Sequence, residues 1–206
     1  METKALIFAK EKHKGQTRSD GTPYINHPSR VANTVKEFTD NEEVIAAGYL
    51  HDTLEDTETT YEEIENEFTP LVAKIVKELT SDNASILSLC DQEFHLHAGK
   101  GAHSTSSLAK NLLHKNPNIK DNSLKKRLGK ALYLSNKMSN MSIDALLVKL
   151  SDRLDNTKDL NGEEEPFRTE YAMETQYILD NIKRDDLAES HNVLISRIRS
   201  AIQSIV

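Results

Sequence analysis

SIDALLVKLSDRLDNTKDL, residues 142–160, is the stretch that decides the fold. Ile143, Leu146, Leu147, Leu150 and Leu154 recur at three- and four-residue intervals, which places them on one stripe of a helix. The same periodicity returns on both sides. Residues 123–138, 166–183 and 190–205 read as further helices, and residues 2–13 begin as one. Pro28 suits a first helical turn, so His27 is expected as an N-cap or pre-helical residue, with Val31, Val35 and Phe38 at helical spacing behind it. Val44, Ile45, Ala47, Gly48 and Leu50 predict a helix running to about Leu54. Thr60 and Glu63 match a capping box ahead of Ile64, Phe68, Leu71, Ile75 and Leu79. Strand signals are few, and the expected fold class is all-α, a helical bundle.

Residues 81–122 differ in character. They are rich in Ser, Asn, His and Lys and are interrupted by Gly99, Gly101 and Pro117. This stretch is expected to be a polar insertion into a single domain covering 1–206. At 206 residues the chain fits that size. A net charge of −7 and a pI near 5.6 argue against a general nucleic-acid binder, which normally carries a basic surplus. The single cysteine, Cys90, excludes an intrachain disulfide and a Cys-rich zinc site. METKALIFAKEKHKGQ lacks the apolar stretch of a secretory signal, and no run of 18 apolar residues suggests a membrane span. A cytoplasmic protein is expected, with its oligomeric state open.

Chemistry concentrates in three places. AAGYLHDTLEDT, residues 46–57, sets His51 beside Asp52, with Glu55 and Asp56 each four residues on. Residues four apart share a helical face, so the four side chains can surround one pocket. Carboxylates so crowded need a cation or solvent between them, and a helix end running into a solvated acidic loop accounts for them equally well. His27, ahead of Pro28, is either a cap or a ligand. Asp152 lies close to the buried stripe, where a carboxylate requires a partner: a cation, or an ion pair with Lys149 or Arg153. Asp152, Asn156 and Asp159 line one face of that helix. Asn156 is either a plain surface amide or a contact for ribose or phosphate. A mixed imidazole and carboxylate set suits Mn²⁺, Fe²⁺ or Zn²⁺.

Taken in order, HKGQTRSDGTPYINHP at 13–28, LHDTLEDT at 50–57 and VKLSDRLDNTKDL at 148–160 resemble the signature blocks of the HD-domain alarmone hydrolases. That family includes the hydrolase half of the RelA/SpoT enzymes and the free-standing small alarmone hydrolases. The resemblance covers roughly 1–80 and 123–180 and fails across 81–122. It implies an HD-domain helical bundle with one Mn²⁺ per chain, bound by His27, His51, Asp52 and Asp152. It further implies hydrolysis of the 3′-pyrophosphate of (p)ppGpp to GDP or GTP and pyrophosphate. By the same resemblance, Arg18 stacks on guanine, Glu55 and Asp56 activate the attacking water, and Asn156 contacts the nucleotide. Arg168 and Tyr171, three apart on the following helix, are weaker candidates for the nucleotide, with core or surface roles open to them. Where the family often has a basic residue after the stacking arginine, this chain has Ser19. The rival expectations are the same site acting on another nucleotide such as NADPH, and a non-catalytic alarmone sensor. His95, His97, His103 and His114 read as part of a solvated loop that serves as a lid, an oligomer contact or a partner site.

Overall fold

The computed structural model describes residues 1–82, 84–86, 121–160, 163–165, 167–203 and 205, with backbone alone at 121–126 and 128. The stretch read as an insertion at 81–122, with its four histidines and Cys90, lies almost wholly outside the described residues. The regular elements among the described residues are all helices, with one isolated antiparallel bridge between Thr17 and Pro23. None of their helices is long and apolar enough to cross a membrane.

Two compact units can be distinguished, one made of Met1–Ser81, Met141–Asp159 and Asp186–Ile198, the other of Asp82–Asn140, Leu160–Asp185 and Arg199–Val206. The first contains α1 (Glu2–Lys12), α2 (Asn26–Lys36), α3 (Glu42–Leu50), α4 (Thr53–Asp56), α5 (Tyr61–Glu67), α6 (Pro70–Leu79) and α8 (Ile143–Asp159). The second contains α7 (Asp121–Asn140) and α9 (Phe167–Asp180), which pack on each other. α10 (Glu189–Ile202) belongs to the first unit as far as Ile198.

In the first unit α3 is the hub, packing on α1, α2, α6 and α8. Every residue from Val44 to Leu50 is buried, and Ala5 and Ala9 of α1 are fully enclosed. The apolar stripe of α8 lies inward as expected, except that Ile143 is only partly covered. The helix is buried well beyond that stripe, for Ser151, Asp152, Arg153 and Asp155 are also enclosed. Sinking charged groups this far requires partners for each of them, and these partners build the site described below.

Three expectations about element boundaries change. His27 is not a cap: α2 begins at Asn26, with Ile25 at the N-cap position. The turn tightens early, His27 N donating to Tyr24 O at 3.0 Å, and Pro28 is admitted because its missing N–H falls in the first turn. The helix expected to run to Leu54 stops at Leu50, and α4 starts afresh at Thr53. The run from Ile64 to Leu79 is likewise two helices, broken where Thr69 caps α6 through Val72 N and Pro70 takes its first position. Half of the capping box forms: Thr60 Oγ1 accepts from Glu63 N at 3.1 Å, while the Glu63 carboxylate accepts from Lys12 Nζ at 2.6 Å.

Gly48 sets the spacing between α2 and α3. A Cβ there would lie 3.0 Å from the Ala32 Cα and 3.4 Å from its Cβ. A side chain can therefore be admitted only by pushing two helices apart. Gly48→Val should cost about 1–3 kcal/mol, the usual penalty of overpacking, read as a lower urea midpoint. An unchanged midpoint would show that the two helices separate freely.

Candidate metal centre

His27 and His51 come from the start of α2 and the end of α3, and both are buried, at 1% and 2% exposure. Each ring is fixed from behind. His51 donates Nδ1–H to Gly48 O at 2.9 Å, one turn back on its own helix. His27 donates Nδ1–H to Asp155 Oδ2 at 2.7 Å. A carbonyl and a carboxylate only accept, so in both neutral rings Nε2 carries the lone pair.

The two Nε2 atoms meet the same pair of carboxylates. His27 Nε2 lies 3.3 Å from Asp152 Oδ1 and 3.6 Å from Asp52 Oδ2. His51 Nε2 lies 3.0 Å from Asp52 Oδ2 and 3.8 Å from Asp152 Oδ1. Although Asp52 is that near, its alignment is not that of a hydrogen bond, and buried His51 Nε2 has no hydrogen-bond partner. Ligand atoms of His27, His51 and Asp152 all fall within 4.8 Å of one another. An orphaned nitrogen lone pair facing carboxylate oxygens is a poor protein–protein contact and a good cation cage. The donor set fits a borderline divalent ion.

The electrostatics carry the same imprint. Burial alone would lower the His27 pKa, but hydrogen bonding to Asp152 and Asp155 outweighs it and pushes it up to about 9. His51 is raised too, burial being outweighed by the charge of Asp52. Burial works against ionised Asp52 and Asp152. The histidines hold Asp52 below the usual carboxylate range, and Lys149, with the imidazoles, does the same for Asp152. In the metal-free protein, protons on the rings do what a cation would do.

Around this centre lie contacts that the sequence left open or did not suggest. Lys149 Nζ donates to Asp152 Oδ2 at 2.8 Å, so the ion pair weighed as an alternative for Asp152 is formed alongside the imidazole contacts. Asn156 Nδ2 donates to Asp152 Oδ1 at 2.6 Å. Arg18 is held in the loop 13–24, where Arg18 N donates to Thr22 O and Gly21 takes a left-handed φ of 81°. Its guanidinium meets Asn156 Oδ1 at 3.0 Å and Asp159 Oδ2 at 2.8 Å, so Arg18 and Asn156 are brought together. Tyr24 Oη lies 2.7 Å from Asp52 Oδ2 and 3.1 Å from Asp56 Oδ2, tying the HD pair to α4. The Asp56 carboxyl is pushed up by burial and by the charge of Asp52. Glu55 Oε2 accepts from Ser81 N at 2.9 Å. Arg168 and Tyr171 are on α9, in the second unit, where Arg168 Nε lies 3.8 Å from Glu165 Oε1 and Tyr171 stacks on Phe167.

Asp155, Arg30 and Tyr24 are the residues the sequence did not single out. Arg30 grips Asp155 through Nε and Nη2 at 2.7 and 2.8 Å, and reaches Asp159 Oδ2 at 3.0 Å. A signal was present: Asp155 is three residues after Asp152, and Arg30 three after His27, each on the same helical face as its predecessor.

Residues 5–92 match the model of the HD domain family. The guanosine-3′,5′-bis(diphosphate) 3′-pyrophosphohydrolase of Aquifex aeolicus is 37% identical over 184 residues, covering 85% of this chain and 20% of that protein. The MESH1 guanosine-3′,5′-bis(diphosphate) 3′-pyrophosphohydrolase of Danio rerio is 52% identical over 82 residues, 37% of this chain and 45% of that protein. The chain thus spans a fifth of the one relative and under half of the other. A solved structure, described as a metazoan ortholog of SpoT that hydrolyzes ppGpp, superimposes with a TM-score of 0.66 at 24% identity. It covers 96% of this chain and 93% of its own, and shows a common fold. The lmo0812 structure from Listeria monocytogenes aligns with a TM-score of 0.57 at 19% identity, over 90% of this chain and 98% of that one. Residues 5–92 thus carry an HD domain, and the chain is similar in sequence to the Aquifex and Danio 3′-pyrophosphohydrolases.

Proposed function

We propose that this protein is a Mn²⁺-dependent phosphohydrolase that removes the 3′-pyrophosphate of guanosine 3′,5′-bis(diphosphate) nucleotides, giving GDP or GTP and pyrophosphate. The observation that carries the proposal is the convergence of the His27 and His51 Nε2 atoms on Asp52 and Asp152, with His51 Nε2 left without a hydrogen bond. His27, His51, Asp52 and Asp152 would hold one cation per chain. Such an ion supplies Lewis acidity toward a phosphoryl oxygen and favours ionisation of water. The names of the Aquifex and Danio relatives support the substrate. We further propose that residues 1–206 form a single HD phosphohydrolase domain; its three signature blocks fall essentially within the first unit.

The rest falls to the chain's own groups. The oxygen of a water molecule bonds to the phosphorus carried on the 3′-oxygen, and the bond between them breaks. The 3′-oxygen takes a proton and pyrophosphate leaves. Glu55 and Asp56 of α4 provide the acceptor for the water proton and the source of the proton for the leaving oxygen. The raised Asp56 pKa favours its holding a proton, and Tyr24 keeps it beside Asp52. Arg18 presents a planar cation to the guanine face and Asn156 a donor and acceptor to the sugar or phosphate. To do so Arg18 must leave Asp159.

Three outcomes test this. Calorimetric titration with Mn²⁺ should show one site, with affinity lowered at least about 100-fold in His51→Ala and Asp152→Asn at unchanged helical content, a loss beyond that of changing an outer residue. Wild-type affinity in either variant would remove that residue from the site. Because metal-free His27 stays protonated up to about pH 9, uptake must displace a proton. Affinity should therefore rise with pH and level off near 9, and titrations at pH 7 in buffers of different ionisation heat should reveal proton release. A pH-independent affinity with no proton release contradicts the ligand assignment. Glu55→Gln and Asp56→Asn should keep Mn²⁺ affinity while lowering turnover of ppGpp by roughly 10²–10⁴-fold, the range of general acid–base catalysis. Chromatography of the products over ppGpp, pppGpp and NADPH distinguishes the substrates. Bound but unhydrolysed ppGpp would identify a sensor.

A further inference from the structure

We propose that Asp155, gripped by Arg30, is a positioning residue that sets the tautomer of His27 and so makes His27 Nε2 a metal ligand; this rests on the metal centre proposed above. The geometry is specific. Asp155 Oδ2 takes the His27 Nδ1–H at 2.7 Å and Arg30 Nη2 at 2.8 Å, while Oδ1 takes Arg30 Nε at 2.7 Å. Two parallel bonds from a guanidinium fix the plane of the carboxylate, not only its charge. Asp155 is itself buried, and Arg30 is backed on its outer side by Asp159. The carboxylate therefore stands rigidly behind one ring nitrogen and has only acceptors to offer it.

Consider the ring without that acceptor. A neutral imidazole carries one proton and two alternative positions for it. In front of His27 Nε2 lie Asp152 Oδ1 at 3.3 Å and Asp52 Oδ2 at 3.6 Å, both carboxylates and both attractive to a proton. Left to these, the ring would place its N–H forward, where a cation needs a lone pair. Asp155 draws the proton to the back. His51 solves the same problem with the carbonyl of Gly48, so the two rings present matched lone pairs by different means. The shared Oδ2 also couples the two helices at the spacing of one turn: His27 and Arg30 on α2, Asp152 and Asp155 on α8.

The experiment is nitrogen NMR of the imidazoles, with Mn²⁺ titrations, on the full chain and its variants. In the metal-free wild type, at the alkaline pH where the nitrogen shifts report a neutral ring, His27 should be the Nδ1–H tautomer. Asp155→Ala should populate Nε2–H and weaken Mn²⁺ binding by about 10–100-fold, the size of outer-residue effects at metal sites, while His51 keeps its tautomer. Asp155→Asn retains an acceptor oxygen and should recover the Nδ1–H form and most of the affinity. Arg30→Met should lose only a few-fold. An Nε2–H tautomer in the wild type, or Mn²⁺ affinity in Asp155→Ala within about twofold of wild type, overturns the proposal, as does Arg30→Met weakening Mn²⁺ as much as Asp155→Ala. Should Asp155→Ala fail to fold, the wild-type tautomer and Asp155→Asn still decide. His27→Ala separates the two levels: unaltered Mn²⁺ binding there refutes the metal centre itself.

Discussion

Two carboxylates on one buried helix face, Asp152 and Asp155, are the constraint around which the first unit is arranged. Neither can be enclosed alone, since an unpaired charge in the interior is among the costliest groups a protein can carry. Asp152 finds Lys149, Asn156 and the front of two imidazoles. Asp155 finds Arg30 and the back of one of them. His27 is common to both sets and lies between the two carboxylates. The start of α2 must then face α8, and α3 must deliver His51 to the same point, so the packing of three helices and the chemistry of the site are one problem with one solution.

The order of the outer groups follows from the same principle. Each ring nitrogen that faces away from the centre is tied to an acceptor, and Tyr24 ties Asp52 Oδ2, the oxygen that faces both imidazoles, to Asp56. What remains free at the centre is a surplus of lone pairs. In the metal-free protein, protons satisfy it, which is why the imidazoles are raised and the aspartates depressed together. Farther out, Asp159 joins Arg18 to Arg30, so both guanidinium charges are met by one carboxylate of the protein.

Much of this was legible before the structure. The stripe on α8 and the apolar intervals elsewhere identified a helical protein, and the three blocks gathered His27, His51, Asp52 and Asp152 into one candidate site. The breaks at Leu50–Thr53 and at Phe68–Pro70 were not legible from apolar spacing, because both flanking helices face the same core and the periodicity passes through the interruption. Pro70 after a threonine was the better signal there. Asp155 and Arg30 escaped for another reason. Their role depends on which helix lies opposite, and a residue's own sequence neighbourhood does not record that. Five leucines and isoleucines predict one buried stripe, whereas the enclosure of α8 on further sides appears only when α2, α3 and α6 are all in place.

Gly48 carries no functional group, yet two requirements meet in it. Its missing side chain lets α2 and α3 approach, and its carbonyl holds the back of His51. Tolerance to substitution should therefore be low at a position that would never be chosen as chemical, and any attempt to stiffen α3 by replacing its glycine would also move the carbonyl behind His51. Helix packing and the orientation of His51 here share a single residue.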